Sequence, residues 1–164
     1  MGASRSRTPV RSRAGAPRRS SRRPVAGLPG GPLYLDSSAV LRAVLESGVS
    51  PEVERLIVGA SLLLTSRLSL VESARVLLRL RREESLGEAR LADAEREIES
   101  LWSRCEIFEL SAAVCELARL VAPTQPLRAL DALHVATFVL ARRRLGDLEL
   151  LTADERMRRA VALV

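Results

Sequence analysis

Lysine is absent from this 164-residue chain, and aromatic residues make up only 2% of it. Every basic side chain is therefore an arginine, apart from the single histidine, His134. Tyr34, Trp102, Phe108 and Phe138 are too few to stack a run of nucleic-acid bases, and they leave the core to Leu, Val and Ala. Two cysteines, Cys105 and Cys115, supply neither a disulfide framework nor a zinc set, and read as small core residues in a reducing compartment. One histidine leaves little room for a histidine-based metal site. No apolar run reaches the roughly 18–20 residues needed to span a bilayer. The arginine-rich start leads into no continuous apolar stretch of the kind a secretory signal requires. The expectation is a cytoplasmic protein with no membrane partner.

Acids are missing as well, until Asp36. Eight of the 26 arginines fall between Arg5 and Arg23, so the formal charge of +6 belongs to the amino-terminal segment. The rest of the chain sets 18 arginines against 20 acids, a net charge of −2. Residues 1–31 are mostly Arg, Ser, Pro, Gly and Ala, which bury too little apolar surface to offset the entropy of ordering; this tail is expected to be disordered. Three readings compete for it: a basic arm with non-specific phosphate affinity, a transit peptide spoiled by its prolines, or extra sequence from a start codon placed too far upstream. The last is preferred, because the domain reads as whole from Pro32 onward.

Residues 32–164 form one domain in which short apolar runs alternate with helical stretches. Strands are expected at 33–35, 61–65, 105–110 and 148–151. Helices are expected at 39–47, 51–59, 66–84, 88–104, from Ser111 to before Pro123, at 128–145, and after Asp154. This alternation predicts an α/β fold with a parallel sheet covered on both faces.

Four carboxylates stand out by position. Asp36 ends the first strand and Asp154 follows the fourth, at the edge where open parallel sheets bind ligands. Each also suits a helix cap, and for Asp36 the two readings are evenly balanced. Glu72 could be an exposed partner of Arg75 at i+3, yet Leu68 and Val76 at i−4 and i+4 place it beside the apolar stripe. Asp131 lies in the first turn of an apolar helix, among Leu130, Leu133 and Val135. There a carboxylate is paired, protonated or bound to a cation, unless it serves only the helix dipole. His134 reads as a satisfied packing residue rather than a ligand. Together the four acids suit Mg²⁺ or Mn²⁺, hard ions that prefer carboxylate oxygens. Such an ion polarises a phosphodiester and activates water, so no side-chain nucleophile is required.

Four blocks in order, LYLDSSA from residue 33, SLVE from 69, LDALHVA from 130 and LTAD from 151, resemble the PIN-domain family, and within it the VapC-type toxins of bacterial toxin–antitoxin pairs. The resemblance covers residues 33 to about 160. It implies a three-layer α/β/α fold around a parallel sheet of four to five strands, and a metal-dependent endoribonuclease. Carried over, Asp36, Asp131 and Asp154 are the Mg²⁺ or Mn²⁺ ligands, and Glu72 is the fourth catalytic acid, orienting water or acting as base. Ser37, Ser38 and Thr152 support them. The resemblance also implies a structured RNA substrate such as tRNA or ribosomal RNA, a cognate antitoxin and a homodimer. Two departures are the arginine-rich extension and a final strand truncated or limited to residues 161–164.

Other readings fare worse. A receiver domain needs an acidic pair after the first strand and a late lysine. A haloacid-dehalogenase-like phosphatase needs two aspartates flanking one residue, where this chain has Asp36 followed by Ser37 and Ser38. Phosphate-binding glycine motifs are absent. The remaining rivals are a non-catalytic binding module of the same fold and a nuclease directed at DNA. With a net charge of −2, RNA contacts are expected from local arginines such as Arg42, Arg75 or Arg79.

Overall fold

The computed structural model describes residues 30–46 and 51–164. The tail expected to be disordered lies outside these residues except for Gly30 and Gly31, and so does the expected close of the first helix at Gly48. Gly30 has a steric reason to be glycine: a Cβ there would come within 2.7 Å of the Gly59 carbonyl oxygen. The entry to the first strand is thereby seated against the end of the second helix.

Four strands pair in parallel in the order β3-β2-β1-β4: β1 (Pro32–Leu35), β2 (Leu62–Ser66), β3 (Cys105–Phe108) and β4 (Glu149–Leu151). Leu33 stands opposite Leu63 on one side and Glu149 on the other. Leu33, Tyr34 and Leu35 are all buried, as a central strand covered on both faces requires.

The helices start where short polar side chains accept the free amide hydrogens of the first turn. Asp36 caps α1 (Ser37–Leu45), Ser66 caps α3 (Arg67–Arg82), Ser111 caps α5 (Ala112–Ala118), and Asp154 caps α7 (Glu155–Val161). Pro51 opens α2 (Pro51–Gly59), and Gly87 precedes α4 (Glu88–Trp102). Gly146, at φ +82°, closes α6 (Ala129–Leu145) with a backbone conformation that side chains with a Cβ rarely adopt.

Alternation along the strands divides the core. Leu33, Leu35 and Leu63 face one cluster with Val40, Ile57 and Leu91 from α1, α2 and α4. Tyr34 and Leu64 face the other, with Phe138 and Ala141 of α6. The result is the expected three-layer arrangement. No helix among the described residues is long and apolar enough to cross a membrane.

The expected fifth strand at residues 161–164 is not formed. Met157 and Ala160 are buried against Val135 and Ala122 at helical spacing, so α7 runs on to Val161. Leu163 and Val164 beyond it are exposed. The sheet of the described residues therefore has four strands. Elsewhere the expected boundaries moved little, the largest change being α5, which stops at Ala118.

Phe138 is 1% exposed and meets the Tyr34 ring edge-on at a centroid distance of 5.9 Å. Phe138→Ala is expected to destabilise the fold by about 3–5 kcal/mol in urea unfolding. Val58→Ala, at a side chain 74% exposed, should stay within about 0.5 kcal/mol of wild type.

Candidate metal and catalytic centre

The chain runs outward from β1 to β2 to β3, then returns to place β4 on the far side of β1. The strand order thus reverses between β1 and β4, the point at which open α/β sheets leave a crevice beyond the strand ends. The two ends are joined directly, with the Asp36 amide donating to the Leu151 carbonyl at 3.1 Å.

Asp36 is only 3% exposed. Its Oδ2 accepts from the Ser38 amide at 3.3 Å, from Thr152 Oγ1 at 2.9 Å, and from Ser38 Oγ. Both hydroxyls are held in turn by backbone. Ser38 Oγ accepts from the Ala153 amide and Thr152 Oγ1 from the Asp154 amide, each at 3.0 Å. Oδ1 is left facing His134 Nε2 at 3.6 Å, beyond hydrogen-bond length.

Glu72 projects from α3 into the same space. Its Oε2 accepts from Ser37 Oγ at 2.6 Å and contacts His134 Nε2 at 2.8 Å. No ion pair forms between it and Arg75. Partial burial opposes its ionisation, but the hydrogen bonds from His134 and Ser37, with the electrostatic influence of His134, outweigh that and hold its pKa below the usual glutamate range. A ring nitrogen 2.8 Å from an ionised carboxylate must carry the proton, so His134 Nε2 is the donor. Its Nδ1 lies 3.2 Å from the Tyr34 hydroxyl. Burial, reinforced by the charge of Asp36, drives the Tyr34 pKa far up, so this hydroxyl keeps its proton.

Asp36, Glu72 and His134 each offer a donor atom within 4.8 Å of the others, the one such trio of acidic, cysteine and histidine side chains among the described residues. The other two acids form a second group. Asp154 caps α7 by accepting from the Arg156 amide at 2.7 Å, and the Arg156 guanidinium bonds it again at 2.9 Å. The same guanidinium nitrogen lies 3.7 Å from Asp131 Oδ2. Asp131 also accepts from the Arg128 amide at 3.2 Å, tying down the first turn of α6. Arg156 holds the Asp154 carboxyl below its ordinary range, and is itself raised by that pairing.

The ligand set read from the sequence, Asp36, Asp131 and Asp154, therefore falls into two groups, Asp36 with Glu72 and His134, and Asp131 with Asp154 around Arg156. Thr152 links the halves on one side, and on the other α6 carries both Asp131 and His134. Ser37, Ser38 and Thr152 all bond the acids. His134, read as a packing residue, has both ring nitrogens engaged, one of them with Glu72. The i+3 spacing from Asp131 was the available signal for it. Arg156 carried no signal beyond its place two residues after Asp154.

A family model described as the PIN domain matches residues 33–163. The chain belongs to the PIN-domain family. Ribonuclease VapC45 of Mycobacterium tuberculosis is 34% identical to this PIN domain over 105 residues, covering 64% of this chain and 73% of that protein. A toxin–antitoxin complex from Klebsiella pneumoniae superposes with a TM-score of 0.51 at 20% identity, over 74% of this chain and 86% of that one. VapBC2 from Rickettsia felis, bound to a DNA fragment from its promoter, gives 0.52 at 14% identity, over 75% of this chain and 99% of that one. These two similarities establish the fold alone.

The depressed pKa of Glu72 has a pH signature in the metal-free PIN domain. A carboxyl with a lowered folded-state pKa stabilises the fold above its unfolded value, near 4.5, and that contribution is lost as pH falls through the folded value. The stability advantage of wild type over Glu72→Gln should therefore be full well above pH 4.5 and shrink as the pH falls below it. Chemical denaturation in the presence of a chelator measures it, and an advantage that grows on acidification contradicts the assignment.

Proposed function

We propose that this PIN domain is a Mg²⁺- or Mn²⁺-dependent endoribonuclease acting as the toxin of a toxin–antitoxin pair. The observation that carries the reading is Asp36, a carboxylate almost wholly buried at the sheet's switch point, with Oδ2 fixed by three hydrogen bonds, Oδ1 facing His134, and Glu72 within 4.8 Å. The ribonuclease name of the Mycobacterium tuberculosis relative supports RNA as substrate, and the toxin–antitoxin complexes of the same fold support a protein antitoxin. A tRNA or ribosomal RNA target and a homodimer belong to the same reading.

The donor set suits a hard divalent ion. Asp36, Asp131 and Asp154 supply carboxylate oxygens, whereas His134 presents an N–H at Nε2 and so acts as a positioning residue. Once bound, the cation supplies Lewis acidity to the scissile phosphate and to the water that attacks it. Glu72, kept ionised, accepts that water's proton as the oxygen–phosphorus bond forms and the bond to the leaving ribose oxygen breaks. Ser37 and His134 fix the direction of the Glu72 carboxylate. Ser38 and Thr152 do the same for Asp36.

Asp36→Asn is expected to reduce RNA cleavage to background and to remove the upward thermal-melt shift on adding Mn²⁺, with circular dichroism unchanged. Matched RNA and DNA oligonucleotides, each with and without chelator, test the class of substrate. Cleavage of DNA alone makes the enzyme a DNA nuclease. A Mn²⁺ shift without cleavage of either favours a binding module.

Arg156 competes for the second pair of acids. Arg156→Gln should therefore bind Mn²⁺ more tightly than wild type by isothermal titration calorimetry, because Asp131 and Asp154 lose a resident cation. Unchanged or weaker binding would show that these two acids lie outside the metal site.

A further inference from the structure

A domain with a net charge of −2 and a carboxylate-lined site repels a polyanion unless some face offers uncompensated positive charge. Several arginines of the described residues are already paired with acids. Arg42 pairs with Glu46, Arg67 with Glu109, and Arg81 with Glu88 and Glu95. Arg156, Arg158 and Arg159 are engaged with Asp154 and Glu155.

Among the arginines with weak or no acid partners, one group stands on α3 beside Glu72. Arg75 and Arg79 are exposed and make no ion pair among the described residues, and Arg82, 78% exposed at its side chain, reaches only Glu83 at 4.0 Å. The three follow one another at i, i+4 and i+7, which places them along one face of the helix. With Val76 and Leu78 they line an open groove of about 460 Å³. Leu78 is half exposed beside them. The row begins three residues after Glu72, so at 1.5 Å per residue its first member stands only about 4.5 Å along the helix axis from the acid that faces the site. Each later arginine lies farther from the acids. One rigid helix thus carries a catalytic carboxylate and, beside it, a line of guanidinium groups whose planar forks match phosphate oxygens.

We propose that Arg75, Arg79 and Arg82 form a track that binds backbone phosphates of the RNA strand flanking the scissile bond. The proposal rests on the ribonuclease reading for the identity of the polyanion. Its chemistry is sequence-independent: the track positions the strand, and contributes affinity that falls with salt.

The test uses the full chain carrying Asp36→Asn, so that RNA stays intact, and a fluorescein-labelled single-stranded oligoribonucleotide titrated across NaCl concentrations. Replacing Arg75, Arg79 and Arg82 with glutamine should lower the slope of log affinity against log salt by about 2, from three lost single-strand phosphate contacts at about 0.7 each. Circular dichroism and the thermal melt should not change. A control with Arg55→Gln and Arg119→Gln, exposed arginines outside the groove, should leave the slope in place. The track is overturned by an unaltered slope in the triple variant, by an equal loss in the control, or by no RNA binding in the Asp36→Asn parent. A triple variant that keeps its RNA slope but loses binding to a partner protein or a second copy, measured by light scattering, assigns the groove to that interface and also overturns the track. Failure of the wild type to cut RNA that it binds with the expected slope removes the ribonuclease reading and leaves the track standing.

Discussion

The centre of this molecule is organised by the need to hold the Asp36 charge out of water. A carboxylate at 3% exposure is unfavourable unless donors surround it. Here the donors come from both sides of the strand crossing: Ser38 from the start of α1, and Thr152 from the end of β4. Neither hydroxyl could be placed without the parallel pairing of β1 with β4, and each is oriented by a backbone amide from the loop before α7. The pairing, the cap and the loop form one mutually dependent unit.

The other side of the centre depends on a buried polar chain. Tyr34 alternates with Leu33 and Leu35 along β1, so its ring enters the face covered by α6 and meets Phe138 and His134 edge-on. Its hydroxyl supports Nδ1 of the histidine, whose Nε2 in turn supports Glu72. A network of this kind is favourable only when every member is satisfied, and it gains specificity for the same reason. It ties the helical layer carrying α3 to the layer carrying α6 through the plane of the sheet.

Much of this was legible in the chain. The apolar runs, the capping serines and the glycine after α6 gave the order of elements, and Asp36 and Thr152 were placed by following strands. The parallel sheet followed from alternation alone. What could not be read was pairwise and long-range. Nothing near Asp154 in sequence revealed that Arg156 would turn back and bridge to Asp131, because a side chain's direction depends on packing that only the assembled layers define. His134 was ambiguous for a similar reason: one buried imidazole in an apolar helix looks the same whether it meets a carbonyl or a carboxylate. The missing final strand is a case in which burial at helical spacing, through Met157 and Ala160, prevailed over expectation from the family pattern.

Three of the four acids also serve the backbone: Asp36 starts α1, Asp154 starts α7, and Asp131 fastens the opening turn of α6. Asparagine caps a helix about as well as aspartate does. If these acids carry the proposed chemistry, a single amide for a carboxylate silences it while the architecture survives nearly intact. On that reading, a descendant has a short evolutionary route to an inert scaffold, and shape alone would not tell it from an active ancestor.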